Sequence, residues 1–386
     1  MSEVRIAQVG ARGFGRIHLE RIDRLAAAGR ARLVAVADPA GAPKDRRVPW
    51  YPSLEELLAR HAPDVVSIAT PIGTHAALAL LALDAGADVF LEKPPVASLE
   101  DFRRLLRRQE ETGRLVQVGF QSLGGEGVAR MRGLMESGAL GVGAGLRARG
   151  CWVRDRAYYA RSAWAGKRLL NGTRVADGVA TNPLAHAVAT AFAIAGVRSP
   201  DDIAEIETEL YHAHDIESDD TAWVRVRPAH GEPIVAALTL CGREQIPPTV
   251  TLSGPRGRAS LSYAEDRIDR MLDGVHSRET FGSIDLLENL LDARERPGEA
   301  ALLAPLAGAA GFMAVLEATQ DRPAPSPIPL AFVEWRLSGQ DAHPVVAGIE
   351  SWLDRCLEKG CGFAAAGAPW ANPGALHRWR PARAGR

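Results

Sequence analysis

The sequence predicts an α/β protein in which a doubly wound parallel domain precedes an α/β domain with a large open, mostly antiparallel sheet. Over residues 1–121, short apolar segments alternate with helical patterns, as in a parallel sheet wrapped by helices. Over residues 205–263, strand-like segments follow one another directly, as in an antiparallel sheet. A chain of 386 residues exceeds one ordinary core. We therefore expect two domains, 1–121 and 122–386, the second with a C-terminal helical extension.

In the first domain, strands are predicted at residues 5–9, 33–37, 65–70, 89–92 and 115–119. Candidate N-caps precede the helices between them: Ser53, Thr74 and Ser98. Ser53 and Ser98 each have an acidic residue three positions later, which resembles a capping box. Glycines stand where these helices should stop: Gly29, Gly86 and Gly113. The pattern is five β/α steps, the arrangement of a doubly wound sheet.

In the second domain, a helix over 127–137 leads into a strand at 146–153. Antiparallel strands are predicted at residues 206–211, 222–226, 234–240, 249–252 and 259–263. A helix over 299–319 precedes a linker at 322–329, and an amphipathic helix is expected near 345–357. The longest apolar stretch, 300–316, is short for a membrane span and indicates a buried helix.

Composition excludes several classes of protein. Lys and Arg total 46 against 47 acidic residues, so no broad field attracts nucleic acid or an anionic membrane. The expected partner is a small molecule. The four cysteines form no CxxC pair and have no histidines at zinc-ligand spacing, which predicts buried free thiols and no metal. Without a signal-peptide pattern at the start, we expect a cytoplasmic protein.

A glycine-rich loop joins the first strand to the first helix: Gly10, Ala11, Arg12, Gly13, Phe14 and Gly15. At this place in a Rossmann fold, a dinucleotide pyrophosphate meets backbone amides and a helix N-terminus. The sequence of the loop departs from GxGxxG, because Arg12 occupies the position of the second glycine and the glycine is displaced to position 13. A plain tight turn is the alternative.

Asp38 ends the second strand, 23 residues after Gly15, close to the spacing at which an acid accepts the hydrogen bonds of the adenosine ribose. This favours NAD over NADP. Lys44, Arg46 and Arg47 follow, and Arg12 could reach the same corner, so NADP stays open. A turn at Asp38 and Pro39 is the structural alternative.

Two further motifs carry a resemblance: the run from Thr70 to His75, which contains Pro71, and the run Glu92-Lys93-Pro94. With Gly10, Gly15 and Asp38, residues 4–121 resemble the glucose-fructose oxidoreductase and inositol dehydrogenase (Gfo/Idh/MocA) family. The resemblance implies that Lys93 lies beside the nicotinamide and the substrate. It implies this cofactor-binding set: Gly10, Arg12, Gly13, Phe14, Gly15, Asp38, Thr70, Pro71, His75, Glu92, Lys93, Pro94 and Gln121.

The family's second signature, roughly GGxxxDxGxH, has its nearest counterpart at residues 177–186. If His186 aligns with the family histidine, Asn182 replaces the aspartate and Leu184 the glycine. The catalytic candidates are therefore Lys93, His186, Asn182 and Asp177. Asn182 before Pro183 also fits a helix N-cap.

Cationic and aromatic residues are concentrated between the first strand of the second domain and this signature: Arg147, Arg149, Trp152, Arg154, Tyr158, Tyr159, Arg161, Trp164, Lys167 and Arg168. Aromatic faces beside several donors suit a polyhydroxylated ring, or one with a carboxylate or phosphate; a solvated strand face is the alternative. The predicted substrate-binding set is Lys93, Arg149, Trp152, Tyr158, Trp164, Arg168, Asn182 and His186.

The expected function is that of an NAD(P)-dependent oxidoreductase acting on CH-OH groups of a sugar, cyclitol or related compound. His186 would take the hydroxyl proton and Lys93 would stabilise the oxyanion. Two alternatives stay open: redox-assisted glycoside cleavage with tightly bound NAD, and a cofactor-binding regulator without catalysis. Family analogy also predicts a homo-oligomer formed through the open sheet.

Overall fold

The computed structural model describes residues 3–43 and 48–382. Residues 1–124 with 284–307 form one unit, and residues 125–283 with 308–386 form another. The sequence had placed the boundary after residue 121 and had left 284–307 in the second domain. Lys44, Arg46 and Arg47, the alternative NADP clamp, lie outside the described residues. In the described part of the chain, no helix has the length and apolar character that a membrane crossing needs.

The first unit is built on a six-stranded sheet. Its strands are β1 (Val4–Val9), β2 (Ala31–Ala37), β3 (Trp50–Tyr51), β4 (Val65–Ile68), β5 (Asp88–Leu91) and β6 (Val116–Val118). They lie in the order β3-β2-β1-β4-β5-β6, and all the pairings are parallel. The order reverses between β1 and β4, where ligands of such sheets bind at the carboxyl ends of the strands. The five predicted strands are confirmed; β3, only two residues long, was not predicted.

Helices connect these strands: α1 (Phe14–Ala27), α2 (Leu54–Leu58), α3 (His75–Asp84) and α4 (Leu99–Thr112). The predicted caps of α2 and α4 are confirmed, because the hydroxyls of Ser53 and Ser98 accept from amides in the first turns. Thr74 occupies the predicted N-cap position of α3, but its side chain makes no capping hydrogen bond. Its hydroxyl instead donates to the carbonyl of Pro71 at 2.8 Å.

The second unit contains a larger, mixed sheet. Its helices include α5 (Glu126–Glu136), α6 (Arg156–Ala160) and α7 (Ala185–Ala195). Its strands begin with β7 (Gly145–Val153), β8 (Leu169–Leu170), β9 (Thr173–Arg174), β10 (Ile203–His212), β11 (Thr221–Pro228), β12 (Ile234–Thr239), β13 (Cys241–Gly254), β14 (Gly257–Ser262), β15 (Arg267–Leu272) and β16 (Val275–Thr280). The main sheet runs β16-β15-β14-β13-β7-β12-β11-β10.

The neighbours among these eight strands are antiparallel except at β7 and β12, and the short strand 326–327 adds a second parallel pairing at the edge of β10. The predicted mostly antiparallel sheet is therefore confirmed. Strands β15 and β16 were not predicted. Their residues are mostly polar and β16 is largely exposed, so they lack the apolar alternation by which a strand is recognised. Strands β8 and β9 form a separate two-stranded hairpin.

After β16 the chain returns to the first unit through α8 (Leu286–Glu295). The side-chain amide of Gln117 on β6 donates to the carbonyl of Leu286 at 2.9 Å and to Asn289 Oδ1 at 2.6 Å. Gln117 Oε1 accepts from the amide of Ala304 at 3.0 Å. This bond holds the chain against β6, so the helix predicted over 299–319 starts late, as α9 (Ala310–Gln320).

The last residues cover one face of the second unit's sheet. They form β17 (Ser326–Pro327), β18 (Val333–Arg336), β19 (His343–Val346), α10 (Ile349–Lys359), α11 (Phe363–Ala366) and β20 (His377–Trp379). Leu353, Phe363 and Trp370 pack with Cys151 and Trp223 in one buried apolar cluster. The predicted amphipathic helix is α10, which begins four residues later than expected because 345–346 belong to β19. The chain's own C-terminal segment thus covers one face of the sheet, and self-association through the sheet stays a prediction.

Candidate active-site residues in the two units

The glycine loop of the first unit has a backbone that only glycine fits at two positions. Gly10 has φ +78°, and a Cβ there would lie 2.3 Å from the carbonyl oxygen of Ala69. A Cβ on Gly15 would lie 2.2 Å from the carbonyl oxygen of Gly10. Gly13, the displaced glycine, has φ +54° and nothing within 4 Å of its Cβ position. The loop therefore packs tightly against β4 and is open at its tip.

The tip of this loop fits a phosphate group. Within the described residues, the backbone amides of Arg12, Gly13 and Phe14 bond to no acceptor. They stand at the start of α1, where amide donors and the helix dipole favour an anion. Phe14 is 56% exposed, so the surface beside these amides is accessible. The displaced glycine thus leaves the physical requirements for a pyrophosphate intact.

Asp38 connects the end of β2 to the glycine loop. Its two carboxylate oxygens accept from the amides of Ala11 and Ala40, each at 2.9 Å. A carboxylate offers about four acceptor positions, so Asp38 retains capacity for ribose hydroxyls. Arg12 donates to the carbonyl of Ala40 at 3.1 Å, which places it at the same corner, as the sequence predicted.

His75 links the two loops that carry the family motifs. Its ring nitrogens lie 2.8 Å from the carbonyl oxygen of Thr70 and 2.9 Å from that of Pro94. Burial lowers the pKa of His75, and a neutral ring donates one of these two bonds. Thr70 also bonds to Thr74 through their hydroxyls at 2.7 Å. His75 therefore braces the loops from beneath, with 1% of its surface exposed.

Lys93 follows β5, and the loop that carries it is fixed by Glu92. One carboxylate oxygen of Glu92 accepts from the amide of Lys93 at 2.9 Å, and the other lies 3.0 Å from His18 Nε2. His18 Nδ1 lies 2.8 Å from the hydroxyl of Ser67. Burial opposes ionisation of Glu92, but His18 and Lys93 hold its pKa below the usual range. Glu92, predicted to contact the cofactor, has both oxygens engaged within the protein.

Gln121 lies just beyond β6. In the amide orientation that satisfies both ends, its oxygen accepts from Arg21 at 2.7 Å and its nitrogen donates to Gly119. Arg21 also forms an ion pair with Asp285 at 3.0 Å. The side chain is thus held at the carboxyl edge of the sheet, the edge on which the other predicted cofactor residues lie.

In the second unit, the structure brings Asp177 and Asn182 together. The Asn182 amide nitrogen donates to one carboxylate oxygen of Asp177. The other oxygen accepts from the amide of Gly166 at 2.7 Å and lies 3.6 Å from Arg161. A carboxylate is therefore present beside the asparagine that replaces the family aspartate. It is supplied from five residues earlier in the chain.

The N-cap interpretation of Asn182 is wrong. Helix α7 begins at Ala185 with Leu184 in the capping position, and no side chain caps it. Residues 180–184 form turns in which the amide of Asn182 donates to the carbonyl of Gly178 at 2.9 Å. His186 is the second residue of α7 and is half-buried. The sequence had correctly placed His186 in the opening turn.

The aromatic and cationic segment forms two stacked groups. The Arg154 guanidinium lies 4.7 Å from the ring centre of Trp152 and 5.0 Å from that of Tyr158. The Arg161 guanidinium lies 3.6 Å from the Tyr158 ring and 4.7 Å from the Trp164 ring. Tyr158 is shared, so the two groups are continuous. Arg161 and Asp177 connect this cluster to Asn182.

Two residues of the predicted substrate-binding set serve other purposes. Arg149 bonds to Asp354 of α10 at 2.6 Å, whereas Gly150 packs against Leu184 just before α7. Successive strand residues face opposite sides of a sheet, so Arg149 is not brought together with Asn182 and His186. Arg168 donates to the carbonyls of Gln320 and Arg322, both at 2.8 Å; it holds the end of α9.

One group in the described residues has ligand atoms close enough together for a metal ion: His214, Asp220 and Cys241. His214 Nδ1 lies 2.8 Å from Asp220, and its Nε2 lies 3.0 Å from the carbonyl oxygen of Arg154. Burial raises the pKa of the Cys241 thiol far above its usual value, which keeps it in the form that does not bind metals. The group instead braces the backbone of Arg154.

Comparison with known families agrees with this geometry. Residues 4–120 match the profile of GFO_IDH_MocA, described as an oxidoreductase family with an NAD-binding Rossmann fold. This segment, which is less than half of the chain, is similar to the Gfo/Idh/MocA family. The resemblance noted from the glycine loop, the Thr70 to His75 run and the Glu92-Lys93-Pro94 run is thus confirmed, and the first unit is an NAD-binding Rossmann domain.

Curated relatives match this chain over less than half of their length. An inositol 2-dehydrogenase from Gluconacetobacter diazotrophicus is 32% identical over 145 residues, which are 35% of this chain and 42% of that protein. A scyllo-inositol 2-dehydrogenase (NAD(+)) from Bacillus subtilis is 28% identical, also over 42% of its length. The chain thus spans about two-fifths of the length of these relatives.

Solved structures are similar over a longer part of the chain. The WlbA dehydrogenase from Bordetella pertussis, in complex with NADH and UDP-GlcNAcA, has a TM-score of 0.67 at 21% identity, covering 82% of this chain and 95% of that chain. An inositol dehydrogenase homolog complexed with NAD+ from Azotobacter vinelandii has a TM-score of 0.67 at 20% identity, covering 83% and 95%. Likeness at this identity establishes the fold, including the mixed sheet.

Sequence reasoning left out three residues that contact predicted site residues. His18 was not considered, although it lies one helical turn after Gly15. Arg154 and Arg161 were named within the cationic segment but left out of the substrate-binding set. Their stacking partners lie two to four residues away, a spacing that was visible in the sequence.

Proposed function

We propose that the protein is an NAD-dependent oxidoreductase that acts on a secondary alcohol, or the corresponding ketone, of a sugar, cyclitol or related polyhydroxylated compound. The observation that carries the proposal is the loop after β5. There, in an NAD-binding Rossmann domain, Glu92 fixes the backbone of Lys93 at the ligand-binding edge of the sheet. A lysine held there supplies a cation to the crevice in which such sheets bind their ligands.

The glycine loop and Asp38 would hold the cofactor. The amides of Arg12, Gly13 and Phe14 would receive the pyrophosphate, and Asp38 would accept from the ribose hydroxyls. When bound, the nicotinamide supplies the hydride chemistry. A 2′-phosphate would be repelled by the Asp38 carboxylate, so we expect NAD to bind tighter than NADP. Fluorescence titration of both cofactors measures this, and tighter binding of NADP would contradict it.

Two side chains would act on the reacting hydroxyl group, one by removing its proton and one by stabilising the negative charge on its oxygen. Loss of a hydride from the carbinol carbon requires loss of the hydroxyl proton, for which His186 is the candidate base. Lys93, as a cation, would stabilise the charge that develops on the oxygen. An amide has no useful basicity, so Asn182 cannot replace the family aspartate as an acid or base. Its bond to Asp177 suits it for orienting the loop before α7.

The direct test is formation of NADH by the purified protein with a panel of polyols. The names of the relatives suggest the first compounds, myo-inositol and scyllo-inositol, followed by neutral sugars, sugar acids and nucleotide sugars. We expect NADH with at least one compound, and loss of that activity in Lys93→Ala. Cofactor binding without turnover on the whole panel would instead favour a regulator. Stoichiometric NAD after purification, with glycoside cleavage and no net NADH, would favour redox-assisted cleavage.

A further inference from the structure

We propose that Arg154 binds a carboxylate of the substrate, so that the compound oxidised is a sugar acid or another polyhydroxylated carboxylic acid. This rests on the proposed function for the redox step and adds the chemical class of the substrate. Arg154 was not in the predicted substrate-binding set, and its assignment comes from the contacts around its guanidinium.

The positive charge of Arg154 has no carboxylate partner among the described residues. Within the described residues, no carboxylate oxygen lies within 4.0 Å of the Arg154 guanidinium, whereas Arg149 pairs with Asp354, Arg161 approaches Asp177 and Lys167 pairs with Glu217. Arg154 Nη1 donates to the carbonyl of Val153 at 2.8 Å. Its charge is therefore not balanced by a carboxylate of the protein, although the residue is half-buried.

The Arg154 side chain also has a hydrogen-bond donor that is not used. Arg154 Nε is buried and has no hydrogen-bond partner, a costly state for a charged group. Nε and Nη2 form the side edge of the guanidinium, a planar fork that matches the two oxygens of a carboxylate. The hydroxyls of Tyr159, Ser162 and Ser218 are also buried without partners. Such groups are expected where a hydroxylated ligand completes the hydrogen bonding.

The backbone and the guanidinium of Arg154 are both held in place by neighbouring groups. The amide of Arg154 donates to the carbonyl of Leu240 at 3.0 Å, and its own carbonyl lies 3.0 Å from His214 Nε2. Asp220 in turn fixes His214 through Nδ1 at 2.8 Å. Trp152 and Tyr158 stack on the guanidinium. The cation is thus held in place before a ligand arrives, which reduces the entropic cost of binding.

The single charge also selects a carboxylate over a phosphate. A phosphate group carries about two negative charges near neutral pH and would require a second cation. Arg161, the nearest stacked arginine, already lies 3.6 Å from Asp177. Arg156 is exposed and stacks on Trp335 at 4.7 Å, so it is hydrated and can serve as a control.

The test compares matched acid and neutral sugars on the NAD-loaded protein by isothermal titration calorimetry. The pairs are glucuronate with glucose and galacturonate with galactose, and glucose 6-phosphate provides the phosphate arm. We expect at least one acid to bind about tenfold or more tighter than its neutral partner. Arg154→Gln should weaken that acid by about 10- to 100-fold, the usual share of a charge-assisted bond, and change the neutral sugar by less than about threefold.

Arg154→Lys keeps the charge but loses the planar pair of donors. Its affinity for the acid should lie between that of the wild type and that of Arg154→Gln. Arg156→Gln removes a charge two residues along the chain, at the start of α6, and should bind like wild type. Thermal melts check that each variant is folded. The proposal is overturned if neither acid binds tighter than its neutral partner, if Arg154→Gln binds the acid as wild type does, or if glucose 6-phosphate is the preferred ligand.

These outcomes are separable from the proposed function because calorimetry requires no turnover. Acid binding that depends on Arg154, without NADH formation from any compound, would support the subsite and contradict the dehydrogenase. NADH formation only from neutral polyols, with no effect of Arg154→Gln, would support the dehydrogenase and contradict the subsite.

Discussion

The two units treat their buried polar groups differently. At the carboxyl edge of the first unit's sheet, Asp38, His75 and Glu92 are each bonded to neighbouring loops within the chain. Among the described residues of the second unit, eight buried side-chain atoms have no partner. Four lie near α6, at Arg154 Nε, Tyr159 Oη, Ser162 Oγ and Ser218 Oγ, and the other four are Trp223 Nε1, Arg270 Nε, Trp370 Nε1 and His377 Nε2. Among the described residues of the first unit, only Gln8 Oε1 is in that state. The Rossmann edge is thus preorganised by the protein, whereas the region around α6 contains polar atoms that make no hydrogen bond within the described residues.

This difference agrees with the ligands that we propose for the two regions. A dinucleotide is recognised largely by backbone amides and a helix N-terminus, so the side chains beneath can be used to fix the loops. A hydroxylated substrate is recognised by side-chain donors and acceptors, which must stay available until it binds. Substitutions in either region should therefore have different effects on cofactor binding, rate and stability.

The largest effect is expected from the catalytic candidates, which should affect the rate without affecting cofactor affinity. Lys93→Ala and His186→Ala should each lower kcat by about a hundredfold or more, the usual share of a positioned acid or base. The Kd for NAD should change by less than about threefold. Lys359→Ala, at the end of α10, is the control. Steady-state kinetics on the best substrate checks this, and an unchanged kcat in either variant would remove that residue from the mechanism.

The next effect is a pH dependence of stability in the second unit. Burial, with Asp220 nearby, raises the pKa of Asp219 from 3.8 to about 6. Between about pH 4 and pH 6 the folded protein keeps this proton, whereas the unfolded chain loses it. The free energy of unfolding should therefore decrease as the pH rises from about 4 to about 6. The expected loss is about 3 kcal/mol.

Asp219→Asn keeps the shape that packs against Gly178 but cannot ionise. Urea unfolding of both proteins from pH 4 to pH 7 measures the difference. The variant should lack this part of the slope, and parallel curves for the two proteins would contradict the assignment of the titration to Asp219.

Preorganisation of the first unit predicts a contrast between two glycines. Gly10→Ala places a methyl group 2.3 Å from the backbone of Ala69, whereas Gly13→Ala meets nothing within 4 Å. Both positions have positive φ, so both variants carry the cost of that conformation, about 1–3 kcal/mol. Because of the added clash, Gly10→Ala should lose about 2 kcal/mol or more of stability beyond the loss in Gly13→Ala and should weaken NAD at least tenfold more. Equal effects in melts and titrations would show that the packing against β4 is unimportant.

The smallest effect is expected at Asn182. Asn182→Ala removes a hydrogen bond to the buried Asp177 carboxylate, which should cost about 1.5 kcal/mol. Because Asp177 keeps Gly166 and Arg161 as partners, we expect a folded enzyme with only a modest decrease in kcat. Denaturant unfolding and kinetics together check this. A well-folded variant without turnover would instead make Asn182 a direct substrate ligand.

The sequence determined the Rossmann domain because its signals are local. Five apolar strands, two capping serines and the glycine loop are each encoded within a few residues, and helix or strand periodicity reveals them. The choice of His186 and Lys93 as catalytic candidates also rests on short motifs and stays a prediction. Helix α10 was found at nearly the right place because its apolar face repeats with helical spacing.

Only the tertiary structure decided how these residues are used. Asp177 stands beside Asn182, Glu92 is held by His18 from 74 residues away, and Arg149 belongs to the face covered by α10. The return of 284–307 to the first unit depends on Gln117, far away in the chain. Hydrogen-bond partners are set by distance in space, and a polar side chain can be satisfied by any element that folds against it. Sequence spacing therefore predicts elements and motifs, while the roles of Arg154, His214 and Glu92 depend on which segments pack together.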